Sequence, residues 1–63
     1  MRTWEGYKEA INVEIGYATV GEIDLVDILG MVDGDVDIWE EFEMHTSPRV
    51  VADMILRAAG YPL

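Results

Sequence analysis

Toward the C-terminal end, apolar positions recur at helical spacing. Val50, Val51, Met54, Ile55 and Ala58 follow one another at short helical intervals. Ser47 suits an N-cap and Pro48 the first helical position. Gly60 suits a left-handed terminus, and Pro62 prevents the helix from resuming. The pattern predicts a helix over residues 48–59. A second helix is predicted over residues 20–31. There Leu25, Ile28, Leu29 and Val32 form an apolar stripe, and Thr19 and Glu22 stand at capping-box spacing. Asp33-Gly34 then supplies turn chemistry.

Two other stretches read as strands. Val36, Ile38, Phe42 and Met44 alternate with Asp35, Asp37, Glu41 and Glu43, which predicts a strand over residues 36–44. Ile38 and Phe42 also lie four apart, as on a short helix. Near the N-terminus, Trp4, Tyr7 and Ile11 fit a helical face that starts after Thr3. Ile11, Val13, Ile15 and Tyr17 alternate with Asn12, Glu14 and Gly16, and three of the four are β-branched. The reading is a helix over residues 4–10 and a strand over residues 11–17. The expected fold class is α+β: a small single domain spanning residues 1–63, with a short sheet of two or more strands and helices on one face. All-α is the alternative.

Charge sharpens this picture. The 63 residues carry 13 Asp or Glu against 4 Lys or Arg, a formal net charge of −9. Residues 1–21 hold Glu5, Glu9 and Glu14 against Arg2 and Lys8, and residues 44–63 hold Asp53 against Arg49 and Arg57. Both ends are nearly neutral. Glu22, Asp24, Asp27, Asp33, Asp35, Asp37, Glu40, Glu41 and Glu43 occupy the middle with no basic residue among them. Ile23, Leu25, Val26, Ile28, Leu29, Val36, Ile38, Trp39 and Phe42 interleave with them, so the block reads as folded structure with an acidic outer face rather than a disordered tail. Electrostatics oppose direct nucleic-acid binding. With no cysteine there is neither a disulfide nor a Cys-bearing zinc site. No apolar run approaches the roughly 18 residues of a membrane span. Met1–Glu5 lacks the apolar stretch of a signal peptide, so the expected address is the cytoplasm.

Catalytic chemistry finds little support. Ser47 and His45 are the only serine and histidine, and capping accounts for Ser47. Carboxylates are too abundant for any two of them to mark a glycosidase pair. Asp33-Gly34-Asp35-Val36-Asp37 has the opening spacing of a calcium loop. Ile38 and Met44 stand where that loop needs glycine and glutamate. An acyl carrier needs a serine at a helix start in the acidic region, and residues 21–37 contain none. No enzyme activity, cofactor or metal is expected.

The acidic face is the remaining signal. On a strand, Asp35, Asp37, Glu41 and Glu43 point to one side, with alternate residues about 6.6–6.8 Å apart. That spacing is of the order of neighbouring phosphates, so the array would fill the Lys/Arg track of a nucleic-acid-binding protein. Asp24, Asp27, Asp33 and Glu40 extend the field. Trp39 shares the strand parity and reads as an aromatic anchor. The plain alternative is a solvated face with Trp39 in the core.

In size, acidity, lack of cysteine and lack of a catalytic motif, the chain resembles the small phage-encoded anti-CRISPR proteins of the DNA-mimic kind that act on type I systems. The resemblance implies a stoichiometric inhibitor in the host cytoplasm that binds a Cas surveillance complex and blocks target-DNA recognition, at the subunit that reads the motif next to the target. Two other readings stand beside it. One is an antitoxin or regulatory protein covering a basic partner, held mainly through Trp39 and apolar contacts. The other is a self-associating module paired through edge strands or the helix over residues 48–59.

Overall fold

A computed structural model describes residues 2–32, 34 and 36–61. Four helices follow in chain order: α1 (Trp4–Thr19), α2 (Leu25–Leu29), α3 (Ile38–Glu43) and α4 (Pro48–Ala58). No strand occurs among the described residues. The α+β expectation is overturned, and the all-α alternative is the architecture.

The first and last helices make the frame. The Thr3 hydroxyl caps α1 by accepting the Gly6 N–H at 3.0 Å. Tyr7, Ile11, Ile15 and Thr19 then recur every four residues and are buried. They meet Val51, Ala52, Ile55 and Leu56, the buried face of α4. Burying each large side chain contributes about 1.5–3 kcal/mol. Residues 11–17 are therefore helix, not strand. Ile11 and Ile15 satisfy both periodicities, and continuity with Tyr7 and Thr19 decides for the helix. The other two residues of the alternation, Val13 and Tyr17, face solvent at 46% and 77% exposure. Thus α1 carries apolar side chains inside and out, whereas α4 is sharply amphipathic.

The second helix is shorter than residues 20–31 suggest. Thr19 does not cap it. Its hydroxyl donates back to the Ile15 carbonyl at 2.8 Å, and the chain turns left-handed at Val20 (φ 55°). Asp24 is the N-cap, accepting the Asp27 N–H at 2.9 Å. The Asn12 side chain accepts the Leu25 N–H at 2.7 Å and so ties the start of α2 to α1. Leu25, Ile28 and Val32 enter the common core.

Residues 36–44 are not a strand either. Asp37 caps α3 by accepting the Glu40 N–H at 3.1 Å. Ile38 is buried and Phe42, four residues on, packs against the core. The alternation fails at Trp39-Glu40, and the four-residue spacing decides. The last helix lies close to expectation, ending at Ala58, with Pro48 in its first turn. Ser47 occupies the N-cap without a side-chain hydrogen bond.

Three helices end in the same way. After α1, the Gly21 N–H donates to the Gly16 carbonyl at 2.8 Å; after α3, Thr46 N–H to Glu41 at 3.0 Å; after α4, Tyr61 N–H to Leu56 at 2.9 Å. Each is the six-to-one bond of a Schellman motif, whose penultimate residue is left-handed. Those residues are Val20, His45 and Gly60, with φ of 55°, 61° and 85°. Only the last is the glycine that the conformation prefers.

Candidate partner-binding face

The acidic segment begins in the turn before α2 and runs through α3. Asp24 and Asp37 hold equivalent places, each using one carboxylate oxygen to cap the helix that follows while the residue stays exposed. Asp27 is exposed in the first turn of α2, beside exposed Val26. Glu40 and Glu43, three apart on α3, share its solvent side. Glu41 points elsewhere: it is half-buried, and its Oε1 accepts the Thr46 hydroxyl at 2.9 Å. The one-sided row is therefore overturned at Glu41 and Glu43, because a helix turns about 100° per residue where a strand alternates. Its regular spacing goes with it. Asp33 and Asp35 lie outside the described residues.

The structure retains the exposure of this charge. Of the candidate carboxylates it describes, Asp24, Asp27, Asp37, Glu40 and Glu43 face solvent. The ion pair formed among the described residues joins Lys8 to Glu5 at 3.2 Å, outside the acidic block.

Trp39 is both packed and exposed. Half its surface faces solvent. Its ring stands edge-on to Trp4 at 4.9 Å and tilts against Phe42 at 5.5 Å. Trp4 and Phe42 are themselves edge-on at 5.5 Å, and Tyr7 closes the row 5.1 Å from Phe42. Such contacts contribute about 0.5–1.5 kcal/mol each beyond area burial. A groove of about 480 Å³ runs alongside, lined by Trp4, Lys8, Leu29, Val36, Asp37 and Trp39 among others.

The N-terminal third supplies residues that the sequence reading treated as neutral scaffold. The Arg2 guanidinium lies 4.1 Å over the Phe42 ring and donates to the Phe42 carbonyl. The Lys8 ammonium lies 5.1 Å from the centre of the Trp4 ring. Trp4 and Lys8 stand four apart on α1, a sequence signal that would have paired them. The Tyr7 hydroxyl donates to the Thr46 carbonyl at 2.6 Å. Burial pushes its pKa above the usual 10, the Glu41 charge adds to the rise, and Arg2 opposes it.

His45 and Ser47 line a separate groove of about 420 Å³ with Arg2 and Tyr7. The His45 Nε2 lies 3.5 Å from the Arg2 guanidinium. Its left-handed backbone gives His45 a place in the ending of α3. Among the described residues no group of three or more His, Asp or Glu is arranged to hold a metal, and no helix is long and apolar enough to cross a membrane. No family model matches the chain, and neither a curated protein nor a solved structure matches it.

Proposed function

We propose that this protein is a stoichiometric inhibitor that docks its acidic middle segment, residues 22–43, on the basic surface of a nucleic-acid-binding protein. The observation that carries the reading is the segment of residues 22–43, which holds nine carboxylates and no basic residue. Its described carboxylates form no ion pair with the described basic residues. A charge of this size on so small a domain costs stability by self-repulsion, and a basic partner would relieve it. Arg and Lys side chains that track phosphates are the natural complement, since carboxylates accept the same charge-assisted bonds. A CRISPR surveillance complex is the specific target suggested by the overall profile. The mimicry is one of charge and exposure, not of phosphate spacing.

The test is a pull-down from nuclease-treated bacterial lysate with the wild type and with the Glu40→Lys/Glu43→Lys double variant, washed at low and high salt. Capture of a nucleic-acid-binding complex that is released by salt, displaced by DNA and lost in the double variant supports the proposal. Capture that resists salt and survives the charge reversal refutes it. A second reading, self-association, has its own observation: the outward face of α1 presents Val13 and Tyr17, with Val20 just beyond, all exposed. Light scattering that gives a concentration-independent monomer mass would remove it.

A further inference from the structure

The aromatic row carries a repeated arrangement with one place open. Phe42 has the Arg2 guanidinium over its ring, and Trp4 has the Lys8 ammonium near its own. Among the described residues, no cation of the chain lies over Trp39, although half of its surface faces solvent. Carboxylates stand beside it on α3, while Lys8 lines the same groove next to Trp4. Glu43 stands one helical turn on from Trp39, and Asp37 caps the same helix. The ring is held in place by Trp4 and Phe42, so presenting it costs little side-chain entropy. A fixed, half-exposed indole with Glu43 one turn along the same helix suits a guanidinium, which stacks on a ring while its N–H groups reach carboxylate oxygens.

From this we infer that Trp39 is the reader of an arginine side chain on the partner. This rests on the basic-partner reading and specifies it: the acidic field draws the partner in, and Trp39 with Glu43 selects arginine over lysine at the point of contact. Bare charge treats the two residues nearly alike, whereas a stacked, forked guanidinium does not.

Octa-arginine and octa-lysine peptides serve as probes. Their affinities are measured by titration calorimetry against the wild type, Trp39→Leu and the Glu40→Gln/Glu43→Gln double variant at several salt concentrations. The wild type should prefer octa-arginine, and Trp39→Leu should weaken octa-arginine binding by about two- to five-fold while leaving octa-lysine binding and the salt slope unchanged. The double variant should weaken both peptides and flatten the slope. Because Trp39→Leu also removes packing, NMR on the wild type gives a second readout: contacts between arginine δ-methylene protons and the Trp39 ring. Equal affinities for the two peptides, or an arginine preference untouched by Trp39→Leu with no such contacts, overturn the inference and leave the acidic field standing. Absence of salt-sensitive binding to either peptide overturns both.

Discussion

Replacing Val20 by glycine should stabilise the protein. Val20 occupies the left-handed position of the Schellman ending of α1, at φ 55°. A β-branched residue is a poor occupant, since its Cβ crowds the following carbonyl at a cost of about 1–2 kcal/mol. The side chain is 90% exposed, so its removal sacrifices little packing. Glycine returns about 0.5–1 kcal/mol through its greater freedom in the unfolded chain. The net gain is about 0.5–1 kcal/mol. That is a visible share of the roughly 3–9 kcal/mol expected for a domain of this length. It corresponds to a midpoint several degrees higher, at roughly 4–8 °C per kcal/mol. The reverse change makes the control. Gly60 occupies the same position after α4 at φ 85°, and a Cβ there meets open space. Gly60→Val should therefore lose a similar amount through backbone conformation alone. Both variants are read by urea denaturation and thermal melts followed by circular dichroism. A Val20→Gly protein no more stable than wild type, alongside a harmless Gly60→Val, would refute the assignment of strain to this position.

Three further predictions concern the core, the cap and pH. Ile55→Ala, at a fully buried position against α1, should cost about 2–5 kcal/mol, a large share of the total stability, seen as a much lower urea midpoint and melting temperature. Asp37→Ala should cost about 0.5–2 kcal/mol through loss of the α3 cap, whereas Asp37→Asn should keep the fold in denaturant melts and lose only charge, which separates capping from partner binding. Tyr7→Phe should lose about 0.5–1.5 kcal/mol at neutral pH with the bond to Thr46. Because the folded Tyr7 pKa lies above 10, its stabilising contribution is complete below pH 10 and disappears as pH rises through the folded value. Melts from pH 9 to pH 12 should show that loss in the wild type and a smaller one in Tyr7→Phe; equal losses would contradict it.

Helix α4 was legible because independent signals coincide there: proline in the first turn, a strong apolar stripe and a terminal glycine. The error over residues 11–17 has a definite cause. Ile11 and Ile15 fit periods of 2 and 3.6 alike, and the β-branched content favoured the strand. The decision lies in the longer run from Tyr7 to Thr19, whose four-residue spacing a window confined to residues 11–17 does not contain. The ends of α1 and α3 were hidden for another reason. Their left-handed residues are valine and histidine, not the glycine by which such endings are recognised. Of the described acidic candidates, Asp24, Asp27, Asp37, Glu40 and Glu43 are exposed and Glu41 is half-buried. Their relative directions were wrong, because direction depends on the backbone period. Trp39 sits between its two expected states, half in solvent and half against Trp4, and its contact with a residue 35 positions earlier has no local signature.

The lengths of α2 and α3, five and six residues, have a consequence for cooperativity. Helices this short do not persist alone in water, since nucleation outweighs the few bonds they gain. They exist because the α1–α4 clasp closes the span between them, so the acidic face and the clasp order together. Thermodynamic linkage follows. A ligand that grips only α3 must raise the opening free energy of amides deep in α1 and α4, where it makes no contact. Slowed hydrogen exchange at Ile11 and Ile55 would then report occupancy of a surface on the other side of the molecule's sequence, and the whole domain becomes the gauge of its own binding face.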